Sequence, residues 1–277
     1  MENEQIKREE SVQGEHWSKL HGGYFSDPVV AYPLIRKVRA IADTSGVDTI
    51  VDLGGGTGSL LALLRAEGVN HNISLVNLDA SDVQLEVAAR AGLSCIRGSV
   101  DSFSRCDLGH EEGTFLFMMR SVLHYFGEDG LRPVLRHLRT QVQTGEYFVH
   151  QTASFLHQHD ADCMNELYQI MRTPKWYPTV SFLCECLRHE GWHVLEVLPG
   201  LPLTLTNEEL RQRYDLSQAE LLRISDQLTQ HSLASEDIFK KTDDGFCAFL
   251  HYWIYICTPA ITDIDIRVKR AFEASQT

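Results

Sequence analysis

The chain has 277 residues, with 25 Lys and Arg against 38 Asp and Glu, for a formal net charge of −13. Apolar residues make up 43% and charged residues 23%, which excludes a disordered chain. The acidic balance argues against a nucleic-acid binder that works by neutralising phosphates. The seven cysteines are odd in number and lack a C-x-x-C pair, so neither a disulfide framework nor a four-cysteine zinc site is expected. They read instead as buried free thiols in a reducing compartment. The charged start, MENEQIKREESVQGEHW, has no apolar stretch and is not a secretory signal. The longest apolar run, residues 246–261, is too short for a membrane span and contains His251; it reads as one buried strand. A cytoplasmic location is expected.

In chain order, residues 49–53 (TIVDL) form an apolar run that ends in glycines and predict a strand. Residues 60–66 predict a helix. Residues 73–78 (ISLVNL) predict a second strand ending at Asp79. Ser81 is placed to cap a helix running to about residue 91, with Asp82 in its first turn opposing the helix dipole. Short strands follow at 93–96 and 114–119. Residues 130–143 carry Leu131, Val134, Leu135 and Leu138 at the 3.6-residue spacing of a one-sided helix. A strand at 146–150, a helix at 180–189 and a strand at 193–198 complete the series. Regular alternation of strand and helix predicts a mostly parallel sheet covered on both faces. Two segments break it. Residues 1–46 are expected to form an N-terminal cap on a single domain, 47–277. Residues 207–235, opened by Asn207, Glu208 and Glu209, are expected to form one or two amphipathic helices, an insertion of about 207–240 before the last strand.

The most informative stretch is Val51-Asp52-Leu53-Gly54-Gly55-Gly56-Thr57-Gly58, where a strand hands over to a helix. Glycines there let a ligand approach the backbone closely. The dinucleotide pattern G-x-G-x-x-G fails because Ser59 stands where the third glycine belongs, and a phosphate loop fails for want of the following lysine. The spacing that fits is acidic-x-G-x-G-x-G, formed by Asp52, Gly54, Gly56 and Gly58. It resembles the first motif of the class I S-adenosylmethionine-dependent methyltransferases, and the resemblance extends over about residues 45–257. It implies an α/β fold with a doubly wound, seven-stranded, mostly parallel sheet whose last strand, expected within 246–257, is antiparallel. It also implies S-adenosyl-L-methionine as cofactor, held by Asp52, Gly54, Gly55, Gly56 and Gly58. Asp79, 21 residues after Gly58, with Ala80 beside it, is expected at the ribose hydroxyls. Asp101 and Ser102, after the third strand, are expected at the adenine.

A second stretch, Arg120-Ser121-Val122-Leu123-His124-Tyr125-Phe126-Gly127-Glu128-Asp129, is similar to the matching segment of small-molecule O-methyltransferases. That likeness implies His124 as general base and Arg120 as a residue facing the cofactor, where a guanidinium can grip a carboxylate in two-pronged fashion. Imidazole chemistry suits the role, since a hydroxyl is a poor nucleophile until its proton leaves.

On the substrate side, aromatic walls are expected from Trp17, Tyr24 and Phe25 at the N-terminus and from Trp176 and Tyr177 in TPKWYP. His150 is expected to end a strand facing the same cleft. Residues 21–24 (HGGY) read as a hinge. Residues 157–163 (HQHDADC) read as a polar surface loop, and Cys184-Glu185-Cys186 as helix packing, so no metal is expected. The expected function is methyl transfer to a small molecule, at oxygen ahead of nitrogen or carbon. A protein or RNA methyltransferase and a non-catalytic cofactor-binding module are the competing readings. No nucleic-acid or membrane partner is expected, and the oligomeric state is left open, a homodimer included.

Overall fold

The computed structural model describes residues 23–109, 113–231 and 234–260. Trp17, His21 and Gly22 lie outside them. The elements run α1 (Pro28–Ser45), β1 (Thr49–Leu53), α2 (Ser59–Ala66), β2 (Ser74–Asp79), α3 (Asp82–Arg90), β3 (Ser94–Arg97), β4 (Phe115–Arg120), α4 (Gly127–Gln141), β5 (Tyr147–Ala153), α5 (Gln158–Ile170), α6 (Val180–His189), β6 (Trp192–Pro199), β7 (Leu203–Thr206), α7 (Asn207–Tyr214), α8 (Gln218–His231), β8 (Phe239–Thr242), β9 (Gly245–Leu250) and β10 (Tyr252–Pro259). A short 3-10 turn, Leu123–Phe126, links β4 to α4.

Seven strands form one sheet in the order β3-β2-β1-β4-β5-β10-β6. All pair in parallel except β10, which runs antiparallel to both β5 and β6. This is the doubly wound sheet the sequence predicts. The chain starts at the centre, goes out to β3 and returns to β4, so a crevice opens between the carboxyl ends of β1 and β4, where open α/β sheets bind ligands.

Both faces are covered. Val51, Leu53, Phe117, Met119 and Phe148 pack on one side with Leu131, Val134, Leu135 and Leu138 of α4 and with Leu183 and Leu187 of α6. Ile50, Leu116, Met118 and Val149 pack on the other side with Leu34, Ile35 and Val38 of α1 and with Leu60, Leu61 and Leu64 of α2. The predicted cap of α3 is present, with the Ser81 hydroxyl accepting from the Gln84 N–H.

Four expectations change. The insertion is not purely helical: β7, β9 and β8 form a separate three-stranded antiparallel sheet on which α8 packs through a core of its own. The apolar run expected as a single strand is two strands in two sheets, broken at His251. Residues 158–163, expected in a surface loop, open α5, and Asp160 and Cys163 are buried there. Of the cysteines, Cys163, Cys184, Cys186 and Cys257 are buried, but Cys106 is exposed and Cys95 and Cys247 are half-buried.

At the end of the sheet away from the crevice, Arg105 meets Glu146 in a two-pronged ion pair at 2.7 and 2.8 Å, both side chains buried. The Glu146 carboxylate also accepts the N–H groups of Phe115 and Gln143, and the guanidinium lies 4.2 Å from the centre of the Phe115 ring. Glu146→Ala would take the carboxylate from a buried guanidinium and from two backbone donors. A loss of about 3–5 kcal/mol in unfolding free energy is expected in urea titration; a loss under 1 kcal/mol would show that the pair does not anchor this edge.

Candidate active site

The turn after β1 is built around buried polar side chains. Asp52 lies level with Asn77 on β2 and Met118 on β4. Gly55 passes so close above that a Cβ there would sit 2.1 Å from Asn77 Oδ1 and 2.6 Å from Asp52 Oδ2, so no side chain fits. Gly58 caps α2 in the left-handed region at φ 77°, with Leu93 against it. Asn77 Nδ2 donates to the Gly56 carbonyl at 2.8 Å, and the Gly56 N–H donates to Asp79 Oδ2 at 2.8 Å. Asp79 Oδ1 accepts the Ser81 N–H at 2.8 Å. Asp79 therefore ties the glycine turn to the start of α3.

Asp52 is 1% exposed, and neither of its carboxylate oxygens has a hydrogen-bond partner. Burial pushes its carboxyl up to about 7; the positive charge of Arg120 works against that shift and the charge of Asp79 adds to it. Arg120 ends β4 across the crevice. Its Nη2 donates to the Phe25 carbonyl, its guanidinium lies 5.5 Å from the centre of the Phe25 ring, and its Nη1 has no partner. Beside it in register is Gln151 of β5, buried, with both amide atoms unpartnered. The Asp52 carboxylate, the Gln151 amide and Nη1 of Arg120 are thus polar groups without a hydrogen-bond partner at the switch point, a costly arrangement unless a ligand completes it. Ser99 donates to the carboxylate of Asp101, at the β3 edge of the same crevice.

A second group lies beyond Arg120. Ser121 has φ 61°, a strained value for a residue with a side chain. Its Oγ donates to the Tyr252 hydroxyl at 2.6 Å. His124 follows on the 3-10 turn, 6% exposed, its ring 4.2 Å from that of Tyr125 and 5.3 Å from that of Tyr177, with Nδ1 unpartnered. Burial, and then the charges of Lys175 and Arg213, hold its pKa well below the usual value, so the ring is neutral near pH 7. These residues border a cavity of about 20 Å³, room for one water, walled also by Tyr168 and Leu203. The loop 171–179 is fixed from two sides. Asn165 bonds the Tyr177 N–H and carbonyl at 2.7 and 2.9 Å, and the Trp176 N–H donates to the His124 carbonyl at 3.1 Å.

No family model and no curated protein matches the sequence. Solved structures do. A putative methyltransferase from Bacillus halodurans C-125 superposes with a TM-score of 0.64 at 16% identity, over 82% of this chain and 99% of that one. The 1,6-didemethyltoxoflavin-N1-methyltransferase of Burkholderia thailandensis gives 0.54 at 13% identity, over 92% and 88%. Mitomycin 7-O-methyltransferase gives 0.52 at 21%, over 71% and 56%. The chain has the class I methyltransferase fold.

On that fold, the predicted residues sort into three places. Asp52, Gly54, Gly55, Gly56, Gly58, Asp79, Ala80 and Arg120 gather around the crevice, with Asp101 on its β3 side. Ser102 is exposed on the turn after β3. His124 and Tyr177 border the small cavity with Phe25, while Tyr24 packs edge-on against Phe25 and donates its hydroxyl to the Leu201 carbonyl. His150 and Trp176 are corrections. The strand runs on to Ala153, so His150 lies mid-strand in the core, stacked between Phe148 and Tyr255, with Nδ1 2.7 Å from Thr152 Oγ1 and its pKa pushed down to about 3 by burial. Trp176 points away from the cavity that Tyr177 lines, packing against Phe182 and bordering an outer groove with Asn165 and Glu166. Alternation along an extended loop sends neighbouring rings to opposite sides. Sequence reasoning missed Asn77, Gln151, Tyr168, Lys175, Arg213 and Tyr252. Asn77 and Gln151 carried a signal, as polar residues within strands otherwise apolar.

The Asp52 carboxyl titrates near 3.8 in the unfolded chain and near 7 in the fold. Between those values the folded state binds the extra proton, so ligand-free stability falls as pH rises from about 4 to 7. Urea titrations from pH 4.5 to 8 should show the natural chain losing up to about 4 kcal/mol relative to Asp52→Asn, the value of a three-unit shift. Parallel curves would place Asp52 in a solvated site.

Proposed function

We propose that this chain is an S-adenosylmethionine-dependent methyltransferase acting on a small molecule, at oxygen ahead of nitrogen or carbon. The observation that carries the reading is the pair Asp52 and Arg120, one acid and one base without a hydrogen bond between them, facing each other under the glycine turn. A zwitterionic amino-acid end fits such a pair, its ammonium toward Asp52 and its carboxylate toward the free Nη1 of Arg120. On this reading Asp79, at the end of β2 beside the glycine turn, takes the ribose hydroxyls, and Asp101, after β3, meets the adenine. When bound, the cofactor supplies a methyl group on a positively charged sulfur. The likeness of fold to mitomycin 7-O-methyltransferase and to 1,6-didemethyltoxoflavin-N1-methyltransferase supports the small-molecule acceptor.

The chain's own task is placement and proton handling. Holding the acceptor in line with the methyl group removes much of the barrier. His124 is neutral near pH 7 and borders the acceptor cavity, so it can take the proton of a hydroxyl there. Residues 1–46 and 207–240 serve, on this reading, as a cap on one catalytic domain. No helix among the described residues is long and apolar enough to cross a membrane.

Calorimetric titration should give micromolar binding of S-adenosylmethionine and none of a nicotinamide dinucleotide; binding of the dinucleotide alone would overturn the proposal. Asp79→Ala should weaken cofactor binding by roughly 1–3 kcal/mol, with unchanged affinity removing Asp79 from the site. His124→Ala should lower turnover by about 10²–10⁴-fold while cofactor binding holds. A loss below tenfold at every pH would reject the base, and turnover by no tested acceptor would favour a binding module.

A further inference from the structure

Helix α3 carries one polar side chain that its surroundings in the protein do not explain. The charged residues of the helix are turned to solvent and paired there, Asp82 with Arg97 at 2.9 Å and Glu86 with Arg90 at 3.2 Å. Leu85 and Ala88 are buried. Gln84 is half-buried, and its Oε1 is shut away from solvent with no hydrogen-bond partner.

The place of Gln84 is fixed by its own backbone, whose N–H donates to the capping hydroxyl of Ser81. Ala88, one turn on, shares its face of the helix. Ala88 lies against Gly58, where an added Cβ would come within 3.4 Å of the Ala88 methyl. Gln84 stands in the same relation to Gly56, with Oε1 3.7 Å from the point that a Cβ on Gly56 would occupy. Adjoining residues aside, Oε1 is the one atom within 4 Å of that point among the described residues, so the space over Gly56 is otherwise open. The Gly56 N–H donates to Asp79 Oδ2 at 2.8 Å, so the carboxylate of Asp79 and the amide of Gln84 both adjoin Gly56. A buried amide oxygen without a donor is costly, and an O–H of a ligand seated over Gly56 removes the cost. A vicinal diol carries two O–H donors side by side, which two acceptors from different elements can hold.

We propose that Gln84 is a specificity residue for the ribose of the cofactor: its Oε1 accepts a hydrogen bond from one of the two ribose hydroxyls, over Gly56, while Asp79 takes the other. The inference rests on the methyl-transfer reading for the identity of the ligand. It adds a second point of recognition, on α3 and outside the glycine turn, through which a ribonucleoside is told from its deoxy counterpart. A site built to bond a hydroxyl rejects the analogue that lacks it, because the acceptor is then left buried and unpaired.

The test is calorimetric titration of the natural chain and two variants with S-adenosylhomocysteine and with its 2′-deoxy and 3′-deoxy analogues. The natural chain should bind S-adenosylhomocysteine about tenfold or more tightly than either analogue. In Gln84→Leu, which keeps a good helix former on α3, binding of S-adenosylhomocysteine should weaken by about fivefold or more. One of the two analogues should bind this variant within about twofold of its affinity for the natural chain. That analogue lacks the hydroxyl that Gln84 holds, and its undiminished binding shows that the variant folds. Gln84→Glu, which keeps an acceptor oxygen at the same reach, should retain the preference for S-adenosylhomocysteine over that analogue. Equal binding of all three ligands by the natural chain would overturn the proposal. So would a Gln84→Leu variant that binds all three as the natural chain does or weakens all three equally, or a preference lost as fully in Gln84→Glu as in Gln84→Leu. Each of these outcomes leaves binding of S-adenosylhomocysteine by the natural chain, and with it the methyl-transfer reading, intact. A natural chain that binds none of the three would overturn the methyl-transfer reading and this proposal with it.

Discussion

A carboxylate buried without a hydrogen bond organises the working edge of this molecule. Placing Asp52 in the interior costs several kcal/mol in principle, and the surrounding structure is arranged so that this cost is carried. The central strand fixes its backbone by pairing on both sides. Gly55 clears the space above it, Asn77 spends its amide on the turn rather than on the acid, and Arg120 supplies opposite charge from across the crevice without quenching it. The seven-stranded sheet is the frame that keeps these groups from relaxing into one another.

The frame was largely legible in the sequence because it is built from repetition. Strand and helix alternate with the right lengths, Ser81 caps where a cap is needed, and α4 buries the four apolar residues that its spacing singled out. The glycine turn was legible for a different reason: steric exclusion leaves few residues that can stand there. What was not legible depends on contacts between distant segments. Strands of four residues at β7 and β8 are too short for a two-residue period to declare itself, and the break between β9 and β10 at His251 is a change of sheet rather than of composition. The helical start of α5 was masked by its polar residues, because its cap residue His157 makes no side-chain bond that would mark a start.

The site divides along the same line. Asp52, Asp79 and Arg120 sit at ends of strands, where position follows from sheet order, and they could be named in advance. Lys175, Arg213, Tyr168 and Tyr252 come from a loop, two helices and a strand boundary that meet only when the second core closes over the first. His150 was misplaced by three residues of strand, and Trp176 by one residue of loop. The first put a residue of the strand's middle at its end, and the second reversed the side of the chain on which the ring lies.

The unequal origin of the two halves of the site has an engineering consequence. The crevice between β1 and β4 belongs to the sheet and its two flanking cores, whereas the roof of the neighbouring cavity, from Leu203 to Arg213 and on to Leu250, belongs to the small sheet with its separate core. A graft that replaces the segment from β7 to β9 therefore exchanges the ceiling over His124 and leaves the Asp52 floor untouched. Variation in this fold can explore new chemistry at one wall while inheriting the other unchanged.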